Sequence, residues 1–161
     1  MTQTEQTVRP LDVDKGNLLP GQYTGGLHTF VMVDATMETV AEGAVFSDGR
    51  AVLSRNGGAI EDRYSNINSL VEEWFGVGAV LWVNPDTEAP RPRRFIFRRG
   101  ADTTGFSGTG IAVEGVQFTH GGVRLMWLGQ VRSLVEWSSI EEAITVHGHA
   151  GDTVIEWLDA A

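Results

Sequence analysis

"VAEGAVFSDGRAVLSR" (Val40–Arg55) returns later in the chain as "AVEGVQFTHGGVRLMW" (Ala112–Trp127). Five positions are identical at a constant offset of 72 residues: Glu42/Glu114, Gly43/Gly115, Phe46/Phe118, Gly49/Gly121 and Leu53/Leu125. Each copy reads as a strand, a short turn and a second strand, and Asp48-Gly49 between apolar segments is a strong hairpin signal. The chain is therefore predicted to repeat one small structural unit.

The similarity extends to a helix and a closing strand. "YSNINSLVEEWF" aligns with "WSSIEEAITVHG", and "AVLWVN" aligns with "TVIEWLD". Positions i, i+3, i+4 and i+7 predict one buried helical face in each copy. These positions hold Ile67, Leu70, Val71 and Trp74 in the first copy and Ile140, Ala143, Ile144 and His147 in the second. Ser139 followed by Glu142 is a capping box and marks the start of the second helix.

These elements predict an α+β fold built as a tandem duplication of a small module. Each module has antiparallel β-hairpin strands, one helix and a closing strand. Units of this size bury little surface alone, so we expect the two modules to pack as one pseudo-twofold unit. The predicted segments are a flexible N-terminal arm (1–28), a first α+β repeat (29–84), a Pro/Arg-rich linker (85–93) and a second α+β repeat (94–161).

Composition excludes several classes of protein. The 161 residues have a formal net charge of −9 and contain no cysteine. Without thiols there are no disulfides and no thiolate metal sites, and an acidic chain is a poor nucleic-acid binder because phosphate contacts need clustered cations. No apolar run approaches the roughly 20 residues that span a bilayer, and residues 1–10 lack signal-peptide features. We expect a cytoplasmic protein with neither membrane nor nucleic acid as partner.

The second copy carries an insertion that the first copy lacks. This segment, "ADTTGFSGTG" (Ala101–Gly110), supplies Thr104, Ser107 and Thr109. Hydroxyls and backbone amides in a Gly-rich loop are typical of an anion-binding nest. The loop has no lysine and precedes a strand, so it is neither a Walker A motif nor a dinucleotide fingerprint. A flexible strand connection is the alternative.

The arginine-rich stretch "RPRRFIFRR" leads into that loop. Strand alternation places Arg98 and Arg99 on opposite faces. Arg98, beside the glycine loop, is the best candidate for gripping an anion. The alternative is an edge strand whose charges discourage aggregation.

The segment "VHGHAGD" at the end of the second helix brings His147 and His149 close in sequence. A zinc site would need a further ligand, and Asp152 or His120 would have to arrive from elsewhere. His147 fills the helix position of Trp74 in the first copy. We therefore predict that it turns toward the core or a pocket rim, where a neighbouring group satisfies it, and that it binds no metal. His149 is predicted in the turn that ends the helix.

The tryptophans give a further pair of expectations. Trp82 and Trp157 are equivalent in the two closing strands and are predicted to be packing residues. Trp127 and Trp137 lie at positions held by Arg55 and Tyr64 in the first copy. They are candidates for an aromatic platform, with core or subunit-interface packing as the alternative.

The runs "DTTGFSGTGIAVEGVQF" and "SSIEEAITVHGHAGDTVIEWLD" resemble small accessory proteins encoded by phages of actinobacteria. The resemblance covers Phe95–Asp159, and the first half matches only as a degenerate copy. It implies a protein of the host cell cytoplasm that binds and inhibits a host protein or blunts a host defence. It carries over no catalytic residues.

Two functions are therefore considered. The first is a non-enzymatic phage-type accessory protein that binds and modulates or inhibits a host protein, expected as a homo-oligomer. The alternative is a protein that binds a nucleotide-type small molecule in counter-defence. The candidate ligand-binding residues are Arg98, Arg99, Thr104, Ser107, Thr109, His147 and His149. We expect no cofactor and no catalysis, because the chain has neither a G-x-S-x-G elbow nor an H-E-x-x-H helix.

Overall fold

The computed structural model of the chain describes residues 26–83, 89–101 and 109–161. Within these ranges there are ten strands and two α-helices. The strands are β1 (His28–Val33), β2 (Thr39–Val45), β3 (Ala51–Arg55), β4 (Ile60–Tyr64), β5 (Ala79–Trp82), β6 (Arg93–Arg99), β7 (Gly110–Gln117), β8 (Val123–Trp127), β9 (Ser133–Trp137) and β10 (Thr153–Trp157). The helices are α1 (Ile67–Trp74) and α2 (Ile140–His147).

Two antiparallel five-stranded sheets share one topology. Their strand orders are β4-β3-β2-β1-β5 and β10-β6-β7-β8-β9. Each sheet places its closing strand beside its first strand, and each helix lies between the fourth strand and the closing strand in sequence. The prediction of hairpin strands, one helix and a closing strand is confirmed, and two such units are what a duplication produces. The twofold relation between them stays a prediction.

An aromatic ring packed over a glycine explains one identical position in the two copies. Phe30 in β1 pairs with Gly43 in β2, and a Cβ on that glycine would lie 2.1 Å from the ring. In the second sheet Phe95 pairs with Gly115, where the same distance would be 2.2 Å. Both phenylalanines are fully buried. Glycine is required here because any side chain would occupy the space of the ring.

The helices begin where local hydrogen bonds predict. Ser139 Oγ accepts from the backbone N–H of Glu142 (3.2 Å), which confirms the predicted start of α2. In the first copy Asn66 Oδ1 accepts from the N–H of Ser69 (3.0 Å). Such N-caps satisfy donors that the first helical turn leaves unpaired.

Each helix covers the outer face of its own sheet. A cluster of buried apolar residues on the outer face of the first sheet contains Leu70 of α1 and Phe30. The corresponding cluster of the second sheet contains Ala143 of α2 and Phe95. Trp82 and Trp157 pack against the two clusters from the closing strands, as predicted. The outer faces therefore form two separate small cores.

A third core joins the two sheets through their inner faces. Its buried members come from both halves of the chain: Leu27, Ala44, Phe46, Val52, Val116, Phe118 and Met126. The layers thus run helix, sheet, sheet, helix. A two-sheet core of this kind allows both faces of each sheet to be apolar.

Reciprocal hydrogen bonds cross between the two sheets. Glu114 Oε2 accepts from the backbone N–H of Ser47 (2.9 Å). Its equivalent, Glu42, accepts from the backbone N–H (2.9 Å) and the hydroxyl (2.6 Å) of Thr119, which is the equivalent of Ser47. Each glutamate therefore caps the β-turn of the other copy, and the recurring Glu-Gly pair of the sequence has a structural role.

The inner core contains an ion pair at positions whose equivalents in the repeat are apolar. Arg124 Nε donates to Glu61 Oε2, with side-chain exposures of only 8% and 11%. Arg124 is equivalent to Val52 of the first copy, and Glu61 is equivalent to Leu134 of the second. Val52 belongs to the apolar core, and Leu134 packs against it. The same structural slot is therefore ionic at one edge of the core and apolar at the other.

Some expectations need correction or lie outside the described residues. The alternative that the arginine-rich strand is an edge strand is wrong, because β6 lies between β10 and β7. Most of the N-terminal arm (1–25), linker residues 84–88 and loop residues 102–108, including Thr104 and Ser107, are outside the described ranges. No helix in the described part of the chain is long and apolar enough to cross a membrane.

Removing Glu61 should destabilise the fold far more than removing an exposed partner. Glu61→Ala leaves the Arg124 charge between the sheets, and we expect the free energy of unfolding to fall by about 3 kcal/mol. Glu156→Ala removes the partner of the exposed Arg98 and should lower the free energy of unfolding far less, because solvent screens an exposed ion pair. The double variant Arg124→Val/Glu61→Leu copies the apolar pair of the other edge and should recover near wild-type stability. Urea unfolding measures all three, and equal losses for the two alanine variants would contradict this account.

Candidate functional site

Two arginines of β6 are neutralised by acidic side chains. Arg94 donates through Nη2 to Asp159 Oδ1 (2.7 Å), and the Asp159 side chain is only 2% exposed. Arg98 bonds to Glu156 through Nε (2.5 Å) and Nη2 (3.0 Å). Glu156 hydrogen bonding raises the pKa of Arg98 above its usual value. The guanidinium edge that we expected to grip an anion is thus occupied by a carboxylate in the structure.

Arg99 differs from its neighbours because it is buried without a carboxylate partner in the described part of the chain. It is 4% exposed, and its Nε donates to Thr153 Oγ1 (3.3 Å). Its guanidinium lies 5.6 Å from the centre of the Trp127 ring. A buried cation is costly unless a counter-charge approaches it. Arg99 is therefore the more suitable of the two candidate arginines for binding an anion.

His147 lies between the two candidate platform tryptophans. Its ring is edge-on to Trp127 (4.9 Å between centroids) and to Trp137 (5.4 Å). Helix α2 persists to His147 and turns it inward, as predicted. Burial lowers the pKa of His147 below its ordinary value, with smaller contributions from His149 and Arg99. The imidazole is therefore held in its neutral form.

Two ring nitrogens in this group are buried with no hydrogen-bond partner in the described part of the chain. They are Nε1 of Trp137 and Nε2 of His147. Buried polar atoms of native proteins are nearly always paired, so each exception needs an explanation. We name Arg99, Trp127, Trp137 and His147 the aromatic–arginine cluster.

In the equivalent cluster of the first copy the indole is hydrogen-bonded and the arginine is ion-paired, while Arg55 Nε is buried without a hydrogen-bond partner in the described part of the chain. Trp74, at the position of His147, donates through Nε1 to the Tyr64 hydroxyl (3.3 Å). Arg55, at the position of Trp127, pairs with Asp62 (2.7 Å) and lies over the Trp74 ring (5.6 Å). The second copy thus keeps the arrangement of rings while it loses the indole hydrogen bond and the ion pair.

The remaining candidates lie around this cluster or outside the description. His149 follows α2 with a positive φ of 45° and is exposed. Thr109 is exposed and precedes Gly110, which pairs with Arg99 across β6 and β7. Thr104 and Ser107 are outside the described residues. No group of three or more His, Asp or Glu side chains in the described ranges is placed to hold a metal ion.

A serine–histidine contact that the sequence did not indicate joins the two copies. Ser54 Oγ lies 3.0 Å from His120 Nε2. The backbone N–H of Gly122 donates to His120 Nδ1 (3.2 Å), so Nδ1 is the acceptor and Nε2 carries the proton. His120 therefore donates to the serine, whereas activation of a nucleophile requires the histidine to accept its proton.

The His147 side chain should titrate below the ordinary histidine pKa of 6.5. Since the unfolded chain then binds the proton more readily, stability should fall as pH drops through 6.5 and level off below the folded pKa. An NMR titration of the His147 Cε1–H resonance measures the pKa. His147→Phe should lose this part of the pH dependence of unfolding. A pKa at or above 6.5 would show that the imidazole is not desolvated.

Comparisons with known proteins bear on the second copy. Residues 92–159 match a family model described as Acb5 phage protein. No curated protein and no solved structure matches the chain. The matched range begins just before β6 and ends after β10, so it spans the whole second sheet and the aromatic–arginine cluster. This part of the chain is similar to a family of phage proteins, which supports an accessory protein of a phage.

Proposed function

We propose that the chain is a phage accessory protein that binds a small, anionic, ring-containing molecule of the nucleotide type at the aromatic–arginine cluster. The observation that carries the proposal is that Arg99 lies beside Trp127, whose ring contacts His147, which in turn contacts Trp137. Two of these three partly buried rings have nitrogens without a partner among the described residues. The ligand would supply both the missing negative charge and the missing hydrogen-bond partners.

The charge of the cluster favours an anion. Arg99 is the cation, and neighbouring His147 is neutral because burial lowers its pKa. A guanidinium presents several N–H donors in a plane that matches phosphate or carboxylate oxygens. Carboxylates pair with Arg94 and Arg98 of β6 but not with Arg99 in the described ranges. A phosphate group satisfies this requirement.

The rings favour a flat organic group beside that anion. The residues that supply the rings, Trp127, Trp137 and His147, are each partly exposed to solvent. Aromatic faces stack on nucleobases with little dependence on the base. The Trp137 Nε1–H is a donor, and neutral His147 Nε2 donates or accepts according to its tautomer. These are the groups that read the edge of a base.

The predicted glycine loop ends beside the cluster. Gly110, at the end of the insertion, pairs directly with Arg99. We propose that the hydroxyls of Thr104, Ser107 and Thr109, which belong to this insertion, contact the ligand, and that His149 contacts it as well. Arg98 does not belong to the proposed site, because Glu156 already binds its guanidinium.

A thermal-shift screen with cyclic nucleotides and ADP-ribose derivatives tests the proposal. A bound ligand stabilises the folded state, so the Tm should rise with ligand concentration. Arg99→Gln should weaken binding about tenfold or more, since bonds to charged groups contribute about 1.5–3 kcal/mol. Trp137→Phe keeps a ring and removes only the Nε1–H, and it should weaken binding less. Arg50→Gln, on a surface turn of the first copy, is the matched control.

Three results would count against this function. The first is no rise in Tm with any of these compounds at high concentration. The second is equal binding by wild type and Arg99→Gln. The third concerns chemistry, because we propose binding without turnover. Chromatography after incubation should recover the ligand unchanged, and recovery of a cleaved product would identify an enzyme instead.

Binding and inhibition of a host protein is the second candidate function. It is favoured by two exposed apolar side chains in the turn after α1, Phe75 (85% exposed) and Val77 (65%). Large exposed apolar groups that lie together mark interaction surfaces. Affinity purification from host lysate should recover one partner that Phe75→Ser/Val77→Ser no longer binds. Light scattering on the same samples tests the expected homo-oligomer, and recovery of an unchanged set of proteins by the double variant would reject this surface.

A further inference from the structure

We propose a second anion-binding site in a cleft at the opposite end of β6, built on Arg93 and taking the carboxylate or phosphate of a small molecule. The cleft has a volume of about 340 Å³, and Arg91, Arg93, Gln117 and Thr119 are among its lining residues. This site is separate from the aromatic–arginine cluster. Arg93 and Arg99 are six positions apart in an extended strand, which places them about 20 Å from each other.

Arg93 packs on an aromatic ring and forms no ion pair with any other described residue. Its guanidinium lies over Trp157, 4.1 Å from the ring centre. Its Nε is buried and has no hydrogen-bond partner in the described part of the chain. No carboxylate there forms an ion pair with it, whereas the next residue, Arg94, is paired with Asp159. A stacked guanidinium keeps its N–H edge available for a planar or tetrahedral oxyanion.

A second cation and an amide stand beside Arg93. Arg91 is 9% exposed, and its Nη1 and Nη2 make long bonds to the carbonyls of Ala89 (3.4 Å) and Ala160 (3.5 Å). Gln117 is the cross-strand partner of Arg93 at the end of the β6–β7 pair. Its amide offers both donors and an acceptor.

One acidic side chain next to the lining is already bound. Glu42 accepts hydrogen bonds from the backbone N–H (2.9 Å) and the hydroxyl (2.6 Å) of Thr119, which lines the cleft. The charged side chains among the lining residues are both arginines. In a chain with a net charge of −9, such a patch is a local exception.

The first copy lacks this combination at the equivalent place. The residues there are His28 and Val45, which pair across β1 and β2 as Arg93 and Gln117 pair across β6 and β7. His28 contacts Trp82 edge-on at 5.8 Å. The aromatic support is thus common to both copies, while the arginine and the glutamine are particular to the second.

The Nε–H resonance of Arg93 provides a direct test by NMR. Wild-type protein is titrated with inorganic phosphate and, separately, with acetate. We expect a saturable shift of this resonance with at least one of the two, and the anion that saturates at lower concentration identifies the preferred group. Linear, non-saturating shifts with both anions, like those of exposed arginines, would overturn the proposal.

Two variants make the test specific. Arg93→Gln should weaken the binding of the anion about tenfold or more, as measured through the indole N–H resonance of Trp157. Gln117→Val introduces the residue of the first copy and should weaken it severalfold, which keeps the test decisive if Arg93→Gln does not fold. Unchanged affinity in Gln117→Val and in any folded Arg93→Gln would overturn the assignment.

Matched controls separate this site from the proposed function. Arg50→Gln should bind phosphate or acetate as wild type does. Arg99→Gln, which removes the cation of the aromatic–arginine cluster, should also leave the Arg93 titration unchanged. If no nucleotide-type ligand binds at Arg99, anion binding at Arg93 is still supported by its own titration. If no anion binds at Arg93, the proposed function at Arg99 is likewise unaffected. Loss of the Arg93 titration in Arg99→Gln would show that the two ends of β6 are not independent sites.

Discussion

The packing of one sheet against the other is the constraint on which the rest of the structure depends. Each sheet has two apolar faces, and its single short helix covers only the outer one. The inner faces must therefore cover each other, with Phe46 and Phe118 contributing equivalent rings that are 0% and 2% exposed. Glu42 and Glu114 add directional bonds that hold each turn against the opposite copy. A single module would expose this face and leave these carboxylates without their partners.

The duplication separates positions that maintain the scaffold from positions that have changed. Rings over glycines, closing-strand tryptophans and turn-capping glutamates recur in both copies because the same packing problem recurs. The copies differ at the ends of the outer face of the second sheet. There, internally paired groups such as Trp74 and Tyr64 give way to His147 and Trp137, whose nitrogens are buried without partners in the described residues. The scaffold tolerates these changes because the inner core and the opposite copy hold it together.

Much of the fold was predictable, and the candidate site was predictable only in part. The hairpins, the capped start of α2 and the closing strands follow from turn residues, a capping box and apolar periodicity, all of which act within a few positions. Arg99 and His147 were named from the sequence, and the tryptophans were recognised as a platform or as packing. The sequence favours Arg98 over Arg99, because nothing local indicates that the side chain of Glu156 in β10 bonds to Arg98. The contact of Ser54 with His120, 66 positions apart, also gave no local signal.

Local pattern established the repeat, the order of its elements and the residues of each buried face. The tertiary structure decided which faces cover each other and which charges are compensated. Closing strand β10 returns beside β6, so the expected edge strand is an interior strand. Glu156 of β10 pairs with Arg98, and Asp159 just after β10 pairs with Arg94, but neither pairs with Arg99. The reason is physical: turn and helix preferences depend on neighbours in sequence, whereas the energy of a buried charge depends on which distant group folds against it. Arg94 and Asp159, 65 positions apart, meet only when both ends of the second sheet are in place.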